Sequence, residues 1–475
     1  MFTLSEIIRA VTGKEFQIQD RCFKEAVVDS RIAEADTLFI AVPGEVTDGH
    51  KFIPAAFEKG ASAALIQEDA PEGCFCLDLR NGGKDARAEE LTADGKFCVR
   101  VENTIEALQK TAAWHRRQLK NMEVIGITGT VGKTTTKEAI FDVLSQHYKT
   151  LKSLGNMNNE IGLPLTLLRT GADTEQAILE MGFYVPGEID QLCQIALPSV
   201  GVLTNVGMVH ASRAGSMEVI ARGKRELVEA LPSDGTAILN YDDPYVRPMA
   251  ESCRGSVLFY GEDPAADLFA SDVESRGLEG LSFCLNYKGE KFPVHTSLIG
   301  RHSIMTALRA AAVGLVKGLS HDEIAAGLAK SRNALRMKTV RLASGVMLID
   351  DTYNASPEST IAALNLLAEV PGRRVAVLGE MRELGQYEQK GHEMVGERAA
   401  EVCDELIAVG PVTRYLSDAA LRAGMTNEKV HWFETVPEVN EYLEKCPPAD
   451  GDAVLVKGSR GMRMERIVEA LEAKE

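Results

Sequence analysis

The stretch Gly126-Ile127-Thr128-Gly129-Thr130-Val131-Gly132-Lys133-Thr134-Thr135-Thr136 decides the fold, because it sets a glycine-rich turn, one lysine and a row of hydroxyls directly after an apolar strand. The run Glu123 to Ile127 reads as that strand, and Glu138 to Tyr148 carries Ala139, Ile140, Val143, Leu144 and Tyr148 at helical spacing. A turn that opens a helix in this way presents backbone N–H groups and the positive end of the helix dipole to an anion. Lys133 then reaches the terminal phosphates of a nucleotide, and the Thr134 hydroxyl suits magnesium. The spacing departs from the common phosphate loop, since two residues separate Gly129 from Gly132 and five separate Gly126 from it. The plainer reading, a strand-to-helix turn that is merely glycine-rich, does not account for Gly-Lys-Thr in that context.

Working outward, a chain of 475 residues exceeds one ordinary core, and about three domains are expected. A net charge of −17 argues against a nucleic-acid-binding body, whose phosphate contacts call for a basic face. The nine cysteines are scattered without a C-x-x-C pair, Cys74 and Cys76 being the only close two, so neither zinc nor a disulfide framework is indicated. The first residues, Met1 to Arg9, carry charges and no long apolar run follows, which argues against a signal peptide or membrane span. The cytoplasm is the expected compartment.

Residues 1–121 read as a first unit, with short strands near Ala35 to Val42 and Ala63 to Gln67 around a helix Ile53 to Lys59. A helix Thr104 to Leu119 closes it and leads into the phosphate-loop strand. Asn81 to Lys96, rich in Gly, Asp, Glu and Lys between the extended runs Cys74 to Leu79 and Phe97 to Val101, reads as a solvated hairpin tip. In residues 122–335, strand signals at Ala177 to Leu179, Val200 to Thr204 and Thr236 to Leu239 fit a nucleotide-binding α/β domain. Residues 336–475 alternate apolar runs (Val346 to Ile349, Arg374 to Leu378, Leu406 to Val409, Val430 to Phe433, Ala453 to Val456) with helical segments such as Ser359 to Ala368 and His392 to Val402. That is the rhythm of a parallel doubly wound sheet. The predicted class is α/β in three domains, with a mostly parallel central sheet.

Several polar residues fall at strand ends, where α/β ligands bind. Glu180 ends the strand Ile178-Leu179-Glu180 and reads equally as a magnesium ligand or a solvated acid. Leu203-Thr204-Asn205 runs on to His210, Lys224-Arg225-Glu226 lies on a helical stretch, and Asn240-Tyr241-Asp242-Asp243-Pro244 follows a strand. Singly, these read as a structural histidine, a solvated face and a turn or N-cap.

Taken in order with Asn156 to Pro164 (Asn-x-Asn-Asn-x-x-Gly-x-Pro), they resemble the Mur ligase superfamily, the ATP-dependent amide ligases of peptidoglycan and folylpolyglutamate synthesis. The resemblance continues through Gly300-Arg301-His302, Leu335-Arg336-Met337, Asp350 to Pro357, Gly379 to Gly385 and Lys457-Gly458-Ser459-Arg460. The last three look like the member that adds D-alanyl-D-alanine to UDP-N-acetylmuramoyl-tripeptide. Asp29-Ser30-Arg31, Val42-Pro43-Gly44 and Asp48 to Phe52 resemble a uridine-nucleotide-binding module. The resemblance implies an N-terminal domain for the UDP-substrate, a central phosphate-loop ATPase domain, and a C-terminal Rossmann-like domain for the incoming dipeptide and nucleotide closure. The expected partners are small molecules, with neither nucleic acid nor membrane among them, and a monomer is expected.

By that resemblance, Gly129, Thr130, Val131, Gly132 and Thr135 cradle phosphates and Lys133 contacts the β- and γ-phosphates. Thr134 and Glu180 hold a first magnesium; Glu180, His210 and a carbamate on Lys224 hold a second. Asn240, Asp243, Arg336, Asp351 and Tyr353 go to the nucleotide, Asn158 and Asn159 to the muramoyl or peptide part, and Ser30, Arg31 and Asp48 to the uridine nucleotide. The carbamate has a physical rationale: a lysine of ordinary pKa lies about 3.4 units from neutrality at pH 7, so a cation beside magnesium is a poor neighbour, and freeing its amine costs roughly 4 to 5 kcal/mol. As a carbamate the side chain offers oxygen ligands and a negative charge.

Two positions depart from the family pattern: Ser303 after His302, and Ser356 before Pro357, each a hydroxyl where an amide is usual. An amide supplies donors and an acceptor, so its loss near adenine is expected to weaken or shift nucleotide contacts. A kinase or ATPase would explain Lys133 and Thr134 but not the C-terminal motifs, and a non-catalytic relative would not explain the retained Glu180, His210 and Lys224. The relative that adds the third amino acid carries an Asp-Asn-Pro-Arg signature that this chain lacks.

Overall fold

In a computed structural model, the described residues are 1–44, 47–84, 86, 95–208, 212, 215–331 and 337–473. Strands gather into three main sheets in three successive stretches of chain, flanked by helices. The α/β expectation with mostly parallel sheets holds.

The first sheet has five parallel strands in the order Glu25–Val27, Thr37–Ile40, Ala63–Ile66, Phe97–Arg100, Phe75–Asp78. This corrects the expected hairpin over Asn81 to Lys96. Phe75–Asp78 and Phe97–Arg100 run parallel, with Phe75 opposite Phe97, so the segment between them must cross over rather than turn back. Of that segment, residues 85 and 87–94 lie outside the described residues.

The helix Thr104–Gln118 starts where Asn103 Oδ1 accepts from the N–H groups of Ile105 and Glu106. Its buried His115 reaches Thr170 O at 3.1 Å and Glu6 Oε2 at 3.2 Å, tying the N-terminal helix to the central unit. One apolar cluster, from Phe2 and Leu108 to Leu163 and Leu203, runs continuously through both units.

The central sheet has nine strands: Glu290–Thr296, Leu281–Tyr287, Leu268–Ser275, Ser256–Gly261, Thr236–Asn240, Val200–Leu203, Glu123–Thr128, Gln176–Glu180 and Thr150–Lys152. Six form the parallel part that carries the phosphate loop, and Leu268–Ser275 continues it in parallel. Leu281–Tyr287 pairs antiparallel with both Leu268–Ser275 and Glu290–Thr296, and a two-residue loop, Lys288-Gly289 at φ 50° and 82°, joins it to the latter. Positive φ at both loop residues matches the right-handed twist of the flanking strands.

The third sheet is ordered Lys338–Arg341, Met347–Asp351, Ala453–Lys457, Arg374–Gly379, Glu405–Val409, Val430–Phe433. Only its first pairing is antiparallel. Separate apolar clusters cover its two faces, which is why its central strands read as unbroken apolar runs.

Candidate active site

The phosphate loop sits at the C-terminal edge of Glu123–Thr128, and steric closeness fixes its glycine. Gly129 has φ 145°, and a Cβ there would lie 1.8 Å from Thr204 Oγ1. The N–H of Thr130 meets Asn205 O at 3.0 Å, and Asn205 Oδ1 accepts from Thr130 N–H at 3.2 Å and Val131 N–H at 2.9 Å. The N–H of Gly207 returns a bond to Thr130 Oγ1 at 2.8 Å. Lys133 Nζ folds back onto the carbonyls of Gly129 and Thr130, at 2.8 and 3.1 Å. Thr134 and Thr135 follow in the first turn of the helix Lys133–Leu144, the former buried and the latter half-buried.

Glu180, only 1% exposed, gathers the neighbouring elements. Its Oε2 accepts from Thr134 Oγ1 at 2.9 Å and its Oε1 from Asn158 Nδ2 at 3.1 Å. Lys137, one turn further along the helix and fully buried, stands 3.9 Å from Glu180 Oε2 and donates to Gly155 O at 3.2 Å. Sequence reading missed Lys137; its only signal is a lysine among the buried Ala139, Ile140 and Val143. The even choice left for Glu180 is thereby decided against a solvated acid.

Lys224 is buried on the helix Met217–Glu229 and forms no hydrogen bond or ion pair with a described residue. Its Nζ lies 5.0 Å from the Phe183 ring centre. Burial, and secondarily the charge of Lys133, hold its pKa well below the usual lysine range. Burial therefore lowers the cost of a neutral amine. His210 and Arg336 lie outside the described residues.

Other expected residues serve the backbone around this centre. Asn240 Nδ2 donates to Thr204 O at 3.1 Å and its Oδ1 accepts from Asp242 N–H at 3.0 Å. Asp243 accepts from the N–H groups of Val206, Tyr245 and Val246. Asn159 Oδ1 accepts from Gly162 N–H at 2.9 Å, so it points into the start of its own helix while Asn158 points to Glu180. Near the N-terminal sheet, Asp29 caps the turn Ser30–Ile32 and pairs with Arg31 at 2.6 Å. Asp48 accepts from the backbone and Nδ1 of His50. Glu68 lies near that pair, but His50 Nε2 accepts from Gln67 N–H at 3.0 Å, leaving the imidazole no lone pair for a metal.

The C-terminal sheet faces the same loops. Asp351 and Lys457 are register partners at strand ends and form a buried pair at 2.5 Å, while Arg460 stacks 5.3 Å from the Tyr353 ring centre. Glu358 Oε1 accepts from Met208 N–H at 3.3 Å, and Gln386 Nε2 donates to Gly215 O at 2.8 Å, so the third unit touches the loop after Val200–Leu203. Ser303 and Ser356 also have backbone duties: Ser303 Oγ donates to Ile299 O at 2.7 Å, and Ser356 caps the helix Pro357–Glu369 through Ser359. A cavity of about 700 Å³ bounded by Glu123, Lys149, Gln176 and Lys317 opens at the opposite edge of the central sheet and contains none of these groups.

Three family models match in succession: the Mur ligase family catalytic domain over residues 26–116, the Mur ligase middle domain over 127–314 and the Mur ligase glutamate ligase domain over 335–460. The chain belongs to the Mur ligase family. Among Mur ligases it is 34% identical to the UDP-N-acetylmuramoyl-tripeptide–D-alanyl-D-alanine ligase of Bacillus subtilis, over 98% of this chain and 97% of that one. The crystal structure of MurF from Acinetobacter baumannii superposes with a TM-score of 0.83 at 28% identity, covering 99% and 98% of the two chains. MurF from Thermotoga maritima in complex with ADP gives 0.76 at 30% identity, covering 95% and 97%. No helix among the described residues of this Mur ligase is long and apolar enough to cross a membrane.

Proposed function

We propose that this Mur ligase joins D-alanyl-D-alanine to UDP-N-acetylmuramoyl-tripeptide, using ATP and releasing ADP and phosphate. The observation that carries the reading is Glu180, a buried carboxylate held jointly by Thr134 of the phosphate loop and by Asn158. The names of the full-length relatives supply the substrates.

In the proposed reaction a substrate carboxylate oxygen attacks the γ-phosphorus, and the bond to the ADP oxygen breaks. The amine nitrogen then attacks the acyl carbon, phosphate leaves with its bridging oxygen, and a proton passes to solvent. Anion must approach anion in the first step, so the demand is for charge neutralisation and positioning. The α-amino group of a dipeptide has a pKa near 7.7 to 8.0, and its neutral fraction at pH 7 makes a dedicated base unnecessary.

Magnesium, if bound, neutralises phosphate charge here. The oxygen donors suit such a hard cation: the Glu180 carboxylate and Thr134 hydroxyl would hold one ion, and Glu180 with a carbamylated Lys224 and the nitrogen of His210 would hold a second. Lys133, with the backbone of Gly129, Thr130, Val131 and Gly132 and the Thr135 hydroxyl, holds the phosphates. For these to bind, the Asn205 oxygens give up the loop's N–H groups. Asn240 and Asp243 fix the loop Thr204–Val206 beside the nucleotide, and Arg336, Asp351 and Tyr353 approach it from the third unit. Asn158, with Asn159 behind it, meets the muramoyl peptide; Ser30, Arg31 and Asp48 meet the uridine nucleotide. The units 1–121, 122–335 and 336–475 carry the UDP-substrate, ATP and incoming dipeptide, in a monomeric cytoplasmic enzyme.

The deciding experiment supplies ATP, magnesium and each UDP-muramoyl peptide with candidate amines, and identifies products by mass. D-alanyl-D-alanine adduct with stoichiometric ADP is expected. A phosphorylated product, or turnover only with a free diamino acid, overturns the reading.

A further inference from the structure

The helix Ile304–Val316 is apolar along most of its length, yet it buries one guanidinium. Arg309 is only 4% exposed. Its Nη2 donates to Thr306 Oγ1 at 2.9 Å and its Nη1 to Tyr260 Oη at 3.4 Å, while Nε has no partner among the described residues. No carboxylate among the described residues pairs with it. Two neutral hydroxyls leave most of a guanidinium's donors unused, and they supply no counter-charge. A buried charge in that condition is costly to the fold, and side-chain packing does not require it, since Ala307, Ala310, Ala311 and Ala312 fill the surrounding positions.

Its position accounts for the charge. The helix packs against the phosphate-loop helix Lys133–Leu144, and Arg309 Nη2 faces Gly132, where a built Cβ would stand 3.2 Å away. Gly132 directly precedes Lys133 and belongs to the turn whose N–H groups are suited to an anion. We infer that Arg309 is a phosphate ligand of the bound nucleotide, a second cation recruited from outside the phosphate-loop motif, with the nucleotide polyphosphate as its missing counter-charge. A planar fork of donors suits phosphate oxygens, and the burial that penalises the free cation strengthens the bond to an anion. This rests on the nucleotide-binding reading of the loop and adds a residue that no phosphate-loop motif contains.

The test measures binding of ADP and of adenosine to the full chain by calorimetry, without any muramoyl substrate, in wild type and in Arg309→Met, Arg309→Gln and Arg309→Lys. Arg309→Met and Arg309→Gln are expected to weaken ADP by about tenfold or more, as for a lost charge-assisted contact, while adenosine changes less than about twofold. Arg309→Lys should fall between. The nucleotide-free Met variant should melt at or above the wild-type temperature, and its rise in Tm on adding ADP should shrink. ADP binding by Arg309→Met and Arg309→Gln equal to wild type, an equal loss of ADP and adenosine, or failure of both to fold would each overturn the inference, the last by showing that the nucleotide-free fold itself requires the cation. So would a wild-type chain that binds no ADP. A wild type that binds ADP but makes no D-alanyl-D-alanine adduct sinks only the substrate assignment, so the two failures are distinguishable.

Discussion

The Thr134 hydroxyl donates to Glu180 Oε2 at 2.9 Å, so one buried carboxylate joins the phosphate-loop helix to the neighbouring strand Gln176–Glu180. Asn158 on the other oxygen and Lys137 at 3.9 Å extend that centre to the loop at Gly155.

Glu180→Gln removes the charge but keeps the shape. Turnover is expected to fall on the order of a hundredfold or more, as for a lost electrostatic group in a buried site. Stability should fall by about 1–3 kcal/mol, because Lys137 loses one of its two carboxylates while a buried amide replaces the anion. Adding Lys137→Met should return part of the stability and none of the turnover. Urea unfolding and ADP release measure the two separately.

The adjacent asparagines should separate by phenotype. Asn159→Ala loses the acceptor for Gly162 N–H and is expected to cost about 1 kcal/mol of stability. Asn158→Ala deletes a donor to the buried Glu180 carboxylate and is expected to cost about 1.5–3 kcal/mol and, unlike Asn159→Ala, to raise KM for the UDP-muramoyl peptide severalfold. A rise in KM confined to Asn159→Ala in steady-state assays would exchange their roles.

Ser356→Asn tests a departure from the family pattern. The hydroxyl caps the helix Pro357–Glu369 through the Ser359 N–H, and asparagine caps equally well. The variant should hold stability within about 0.5 kcal/mol of wild type, whereas Ser356→Ala should lose about 1 kcal/mol. Thermal melts check both.

How much was legible followed from how local each signal was. The strands flanking Gly129 and the central strands of the third sheet were readable because burial on both faces gives unbroken apolar runs, whereas the exposed edge strand Lys338–Arg341 carries no such run. The antiparallel pair after Leu268–Ser275 was readable too, in the alternation of Leu281, Phe283 and Leu285 around Lys288-Gly289, but the phosphate-loop pattern drew the reading toward parallel units. The direction of Phe97–Arg100 was not readable, because polar composition between two strands does not tell a crossover from a hairpin. Arg309 and Lys137 escaped because a single cation in an apolar helix gains meaning only when the facing helix and its glycine are known.

His392 gives the loop after Arg374–Gly379 a pH dependence. Its Nδ1–H donates to Glu388 O at 2.8 Å and its Nε2 accepts from Met381 N–H at 3.0 Å, an arrangement open only to the neutral ring. Burial accordingly lowers its pKa below the ordinary 6.5. The unfolded chain therefore binds the proton first, so this stability is fully present above about pH 6.5 and is lost as pH falls toward and through the folded value. Urea unfolding at pH 7.5 and 5.5 should show a larger loss in wild type than in His392→Gln; equal losses would remove His392 from the account.

Lys224 poses the sharpest test of the proposed chemistry, because its surroundings push in two directions. The Phe183 ring at 5.0 Å favours the ammonium by about 2 kcal/mol for a desolvated pair, while burial opposes any unpaired charge by several kcal/mol. Burial dominates, which is the direction of the pKa, and a neutral amine is the form that adds carbon dioxide with release of a proton. The resulting anion would exchange repulsion from Lys133 for attraction. Wild-type turnover should therefore fall severalfold in carbonate-depleted buffer, and Lys224→Ala should lose about a hundredfold or more. Added formate, acetate or propionate should partly restore the variant by supplying a free carboxylate in the vacated space. Full activity of Lys224→Ala without any added carboxylate would exclude the carbamate.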